Sequence, residues 1–215
     1  MSYRKYVLIL LLILLLILIL QACSKSPKTQ EARYVVLSPE VAEILCAIGA
    51  ESRIVGITEE CTYPAGLNGK QIVGKFGALD REQIIALKPS LIFSSALEQE
   101  AIAREFTKLG YQVDSFYPQN IQGMLDGIRH LGVVTDRVKA ANSLADSLSA
   151  FISNMKQTSP KRRPRIYLEI YRDPLMSVSD QSFVGALIEL AGGDNVFDRL
   201  ERDYARVDPE KVIES

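Results

Sequence analysis

The sequence predicts an α/β protein of two similar lobes joined by one long helix, and three features predict it. Short apolar stretches alternate with amphipathic helical patterns from residue 33 to 134, the grammar of a mainly parallel sheet with helices on both faces. The stretch from Thr135 to about Gln157, TDRVKAANSLADSLSAFISNMKQ, has no Gly or Pro and carries Val138, Ala141, Leu144, Leu148, Phe151, Ile152 and Met155 mostly in steps of three and four. That spacing places one apolar stripe along a helix about 34 Å long. After this helix the pattern of the first part restarts, so the same unit is expected twice.

In chain order, the body begins at Arg33. Tyr34 to Leu37 reads as a buried strand, broken by Ser38-Pro39, and Glu40 to Ile48 as a helix closed by Gly49. Arg53 to Ile57 is a second strand. Glu59 to Gly77 is rich in loops, with a short strand at Gln71-Ile72-Val73. Asp80 caps the helix REQIIALK, Pro89 ends it, and Ser90 to Phe93 is the next strand. A helix over Glu98–Leu109 stops at Gly110, a strand follows over Gln112–Phe116, and Asn120 caps a helix that reaches Leu131, with Gly132 separating it from the long one. Thr135 is expected to cap the long helix, Asp136 to suit its positive end, and Ser159-Pro160 to stop it.

Three echoes relate the flanks. Arg165-Ile166-Tyr167-Leu168 answers Arg33-Tyr34-Val35-Val36, and the helix Phe183–Leu190 ends in Ala191-Gly192-Gly193 as the first ends in Ile48-Gly49-Ala50. Most telling is Leu79-Asp80-Arg81-Glu82-Gln83-Ile84-Ile85 against Val207-Asp208-Pro209-Glu210-Lys211-Val212-Ile213: apolar, capping Asp, Glu, then two aliphatics. The first part shows about four strands and the last only one obvious strand before Ser215, so the C-terminal lobe is expected to be incomplete. The expected organisation is 1–22 signal peptide, 23–32 tether, 33–134 N-terminal lobe, 135–158 inter-lobe helix and 159–215 C-terminal lobe.

The start of the chain is a targeting segment. Arg4 and Lys5 precede the unbroken apolar run Val7–Leu20, whose 14 residues are short for a membrane span but right for a signal peptide. Leu20-Gln21-Ala22-Cys23 resembles the lipobox of bacterial lipoproteins, in which the Cys is lipidated; the alternative is an uncleaved anchor. Either way the body is expected on the outer side of a membrane, tethered through SKSPKTQE.

Composition excludes several classes. The chain has 215 residues, a formal net charge of −1 and no long run of one sign, so no nucleic-acid surface is expected. One His and no CxxC pair argue against a His- or Cys-rich metal site. No GxSxG, phosphate-cradling glycine loop or His-Glu zinc motif is present, so the chain is not read as an enzyme. Asp173 and Asp180 lie among Pro174, Ser179 and Ser182 and read as turn residues. A structural or adhesion lipoprotein remains a third class. His130, near the expected helix end, is read as meeting the helix dipole. A helix running away from the strand ends should hold Cys46 and Cys61 about 10 Å apart or more, too far for a disulfide.

The stretches RYVVLSPEVAEILCAIGAESRIVGITEECTYP, IVGKFGALDREQIIALKPSLIF, FVGALIELAGGDNVF and VDPEKVI together resemble the helical-backbone class of ABC-importer substrate-binding proteins. That family captures cobalamin, ferric siderophores and haem. The resemblance implies two Rossmann-like lobes, a rigid inter-lobe helix, a monomer, and a ligand in the cleft as cargo rather than cofactor. It further implies docking onto the importer's membrane subunits through one exposed Glu per lobe, here Glu82 and Glu210, the pair already matched by the internal echo. Such a pair suits a two-fold partner, although each Glu also suits its helix N-terminus without any partner.

Cleft candidates follow from geometry, since parallel sheets bind ligands beyond the C-terminal ends of their strands. That rule selects the loops carrying Tyr63, Lys75, Phe76, Leu97, Tyr117, Tyr171 and Arg172. The aromatic side chains are placed to stack on a flat macrocycle, and Lys75 and Arg172 to meet an anionic ligand. Each tyrosine can equally pack its loop against the core. The expected cargo is a corrinoid, with a ferric siderophore or haem as the alternative.

Overall fold

The computed structural model describes Tyr3 and residues 31–95, 99–157 and 162–214. Within it, Arg33–Ser215 forms one compact unit. Cys23, Leu97 and the Ser159-Pro160 stop lie outside the described residues.

Five strands form one parallel sheet: β1 (Tyr34–Val36), β2 (Ile54–Ile57), β3 (Gln71–Ile72), β6 (Leu91–Ser95) and β7 (Val113–Phe116), in the order β3-β2-β1-β6-β7. Strands β4 (Gly74–Lys75) and β5 (Ala78–Leu79) form a separate antiparallel hairpin. The strands are apolar on both faces because helices cover both. On one face Val35, Leu37, Ile84, Ile92, Ile102 and Phe106 form a buried cluster with α2 (Arg81–Ala86) and α3 (Glu100–Lys108). Towards α1 (Pro39–Ala47) and α4 (Ile121–Val134), Val41, Leu45, Ile128 and Leu131 are buried. Tyr34 meets Phe93 edge-on at 5.4 Å between ring centres.

The expected side-chain caps stand at Asp80 and Asn120, and Ser182, read from sequence as a turn residue, caps a further helix. Asp80 accepts from the Gln83 backbone N–H at 3.0 Å, which holds its carboxyl below the usual carboxylate range. Asn120 accepts from Gly123 N–H at 2.8 Å, and Ser182 from Gly185 N–H at 2.9 Å.

The junction before the long helix differs from expectation. Gly132 lies inside α4, which runs on to Val134, and the long helix α5 begins at Val138 and ends at Gln157. Thr135 therefore terminates one helix instead of starting the next, and its hydroxyl donates back to the Leu131 carbonyl at 2.6 Å. Asp136 takes a left-handed conformation, φ +56°, with its N–H on Val133 O and the Arg137 N–H on Gly132 O. These two bonds are the left-handed cap that ends a helix. Gly132 is required because α5 packs against it: a Cβ there would lie 2.3 Å from Ala141 Cβ. Arg53 ties the junction to the sheet, its Nη1 donating to Thr135 O and to the Tyr34 hydroxyl.

The second lobe carries more strand than its sequence displays. β8 (Arg165–Ile166) pairs in parallel with β11 (Asp194–Asn195), and β9 (Tyr171–Arg172), β10 (Leu175–Val178) and β12 (Tyr204–Arg206) form an antiparallel sheet in the order β12-β10-β9. These strands are two to four residues long, too short to show periodicity. α6 (Phe183–Leu190) and α7 (Pro209–Glu214) are the second lobe's helices, and short 3-10 turns at Glu51–Arg53 and Ala65–Leu67 belong to the first lobe. No helix among the described residues is long and apolar enough to cross a membrane.

Candidate functional site

The first lobe's strand order reverses between the parallel neighbours β1 and β6, from which the chain continues to opposite edges. Such a reversal leaves a crevice beyond the strand ends. Gln99, which sequence reasoning assigned only to a helix pattern, holds that point together. Its side chain accepts from Ser95 N–H at 2.8 Å and donates to Leu37 O at 2.6 Å, and the residue is buried. It thus satisfies two backbone groups where the parallel ladder opens.

From this point a groove of about 900 Å³ runs along α1. Tyr63 and Pro64 from the loop after β2, and Tyr117 and Pro118 after β7, frame its mouth. Met124 and Ile128 of α4 and Leu144 and Leu148 of α5 line its apolar side, and Phe183 at the start of α6 contributes from the second lobe. The α1 wall carries Glu40, Glu43 and Cys46, with Glu51 just beyond the helix. Tyr63 and Tyr117 are 67% and 46% exposed, so both rings are free to cover a ligand.

Cys46 and Cys61 are free thiols. Burial first, then the Glu51 and Glu43 carboxylates, push the Cys46 thiol up to about 11 against the opposing pull of Lys70. Cys61, buried beside Thr58, is also pushed up by burial, with Glu60 and Glu40 adding to it. Neither is a thiolate at neutral pH. Among the described residues no group of three His, Cys, Asp or Glu side chains is arranged to hold a metal ion.

Of the residues nominated from sequence, Tyr63 and Tyr117 come together in the groove. Lys75 and Phe76 lie on the β4–β5 hairpin outside its lining. The hairpin is pinned to the loop after β2: Lys75 pairs with Glu59 at 3.5 Å, and the Phe76 N–H is shared between both Glu60 carboxylate oxygens at 3.1 Å. That N–H holds the Glu60 carboxyl below its usual range. Tyr171 and Arg172 are exposed on β9, also away from the groove lining. Tyr204 on β12 was not nominated, yet it comes near Tyr117; burial first, then the Tyr117 phenol, raises the Tyr204 pKa. A single Tyr within the polar run Glu201–Arg206 gives no sequence signal for this meeting.

Glu82 and Glu210 each occupy the second position of a six-residue helix, α2 and α7. Both are exposed, and no ion pair among the described residues engages either carboxylate. The Asp208 carboxylate accepts from Glu210 N–H at 2.9 Å, the counterpart of the Asp80 cap. His130 is not at a helix end: it sits within α4 and pairs with Asp114 of β7 at 2.7 Å, because the strand passes beside that helix.

Comparison with known proteins places these features in context. The sequence profile described as periplasmic binding protein matches residues 35–215. A vitamin B12-binding protein of Vibrio vulnificus is 26% identical over 187 residues, covering 84% of this chain and 67% of that protein. Among solved structures, the periplasmic vitamin B12 binding protein of Vibrio cholerae superposes with a TM-score of 0.73 at 21% identity, covering 85% of this chain and 72% of that one. The periplasmic haem binding protein of the same organism gives 0.75 at 21% identity, covering 86% and 73%. These two likenesses establish the fold.

Proposed function

The chain belongs to the periplasmic binding protein family, and on that premise we propose that it captures a corrinoid in the groove and delivers it to the membrane permease of an ABC importer. An iron chelate, siderophore or haem, is the second cargo class. The observation that carries this reading is the groove itself: about 900 Å³ of largely apolar lining at the sheet's reversal point, with Tyr63 and Tyr117 exposed at its mouth. A volume of that order is at the upper end for small-molecule sites, and exposed tyrosines gain by covering a flat ring system. The vitamin B12-binding relative supports the first cargo, and the haem-binding neighbour shares only the fold.

The remaining parts of the reading concern placement. Cys23 carries the lipid anchor, the body works in the cell envelope as a monomer, and Glu82 and Glu210 grip the two permease subunits. Lys75, Phe76, Tyr171 and Arg172 lie outside the groove lining and engage cargo only where it projects from the groove, and Leu97 is outside the described residues. The role is binding without turnover, so the cargo is the only small molecule required.

Thermal melts and absorbance titrations of the full chain with cyanocobalamin, haemin and ferric siderophores test the assignment. A saturable shift with cyanocobalamin, weakened at least about tenfold by Tyr63→Ala or Tyr117→Ala, is the expected result. Recovery of the cyanocobalamin unchanged at the end separates capture from catalysis. A shift with haemin alone moves the assignment to the second cargo, and no shift with any of them removes the capture role.

A further inference from the structure

The groove's charged lining has one sign. Glu40, Glu43 and Glu51 face it, whereas no Lys or Arg lines it among the described residues. The cations nominated from sequence lie elsewhere: Lys75 is already paired with Glu59, and Arg172 is on β9. The Glu51 carboxylate lies against Gly66, where even a methyl group would meet its atoms at 2.4 Å, while Lys70 donates to the Glu51 backbone carbonyl. Burial is the main cause of the raised pKa of Cys46 on α1 and of Cys61, with carboxylates adding to both and Lys70 opposing them at Cys46.

The geometry points to charge selection by this wall: Glu40, Glu43 and Glu51 admit neutral or cationic cargo rich in N–H donors and reject cargo bearing carboxylates. This rests on the capture reading above and makes it narrower. An ionised carboxylate only accepts hydrogen bonds, so its natural partners are amide N–H groups and cations. A second carboxylate brought into a mostly apolar groove finds like charge and loses water. A corrin periphery carrying primary amides meets the first condition, and a porphyrin dicarboxylate meets the second. Specificity of this kind works by repulsion as much as by attraction.

Two measurements on the full chain in detergent test it. The first reads the field without any cargo. Cys46 is labelled with a cationic and an anionic methanethiosulfonate, and the two rates are followed by peptide mass spectrometry. Their ratio should exceed that of a free thiol by about tenfold and fall towards it in the Glu43→Gln, Glu51→Gln double variant. A ratio equal to the free thiol's overturns the inference. The second compares cyanocobalamin with its monocarboxylate, in which one side-chain amide is hydrolysed. The wild type should bind the amide form at least about tenfold more tightly, and the Glu→Gln variants should narrow that gap while still binding cyanocobalamin. Equal affinity for both forms sinks charge selection and leaves capture intact. Failure of every corrinoid to bind, with the labelling ratio high, sinks capture and charge selection of cargo together.

Discussion

Cys46 faces the groove from α1 and is half-shielded there, and its thiol is pushed up to about 11 by burial and by Glu51 and Glu43. Only the thiolate attacks an alkylating reagent, so the shift sets a rate. Between pH 9 and 10 carboxamidomethylation of Cys46 should still climb by nearly tenfold, where an ordinary thiol with a pKa near 8.5 has levelled off. Mass spectrometry of the labelled peptide measures it, and a plateau by pH 9 refutes the shift. Saturating cargo should slow the reaction at every pH by covering the groove. At this scale the sequence was readable for Tyr63 and Tyr117, because a strand end fixes which loop reaches the crevice. It was silent on Glu40, Glu43 and Glu51, whose helix and turn positions look like an ordinary solvated face. It misassigned His130, whose partner Asp114 lies 16 residues away in sequence and is brought close by β7 alongside α4.

Between elements, the caps separate what is local from what is not. Gly49, Gly110 and Gly192 end their helices in left-handed conformations, and each was legible because glycine there carries no Cβ penalty. Asp136 performs the same task and was read instead as a helix start, since an Asp after a Thr resembles an N-terminal signal. Replacement Asp136→Gly relieves the left-handed strain and removes a negative charge from the C-terminal end of α4. It should stabilise the protein by about 0.5 kcal/mol, read as a higher melting temperature. The packing of α4 on α5 carries the opposite expectation. Gly132→Ala drives a methyl group into Ala141 and should cost about 1–3 kcal/mol in chemical denaturation. Adding Ala141→Gly should recover part of that loss by reopening the space; no recovery would mean that the Gly132 site is sensitive for another reason.

Across the whole molecule, the internal echo between Leu79–Ile85 and Val207–Ile213 becomes two six-residue helices, each preceded by a capping Asp and presenting an exposed Glu. If the pair grips a two-fold permease, Glu82→Ala and Glu210→Ala should each weaken permease binding by about tenfold while leaving the melting temperature and cargo affinity unchanged. Loss of binding in only one variant would refute a symmetric grip. Low ionic strength should enhance the effect, because both carboxylates are exposed and screened by salt. The alternation of strands and helices, the Asp80 and Asn120 caps, the stops at Gly49, Gly110 and Gly192 and the repeat were present in the chain as written. Each is governed by neighbours within a few residues, through backbone sterics, capping hydrogen bonds and the period of the apolar pattern. The order of the five strands, the buried Gln99 that joins the ends of β1 and β6, the meeting of Tyr204 with Tyr117 and the groove that the α1 glutamates share with Leu144, Leu148 and Phe183 came from folding. They arise from contacts between residues far apart in the chain, whose partners are chosen by which surfaces can be buried together and not by any local pattern.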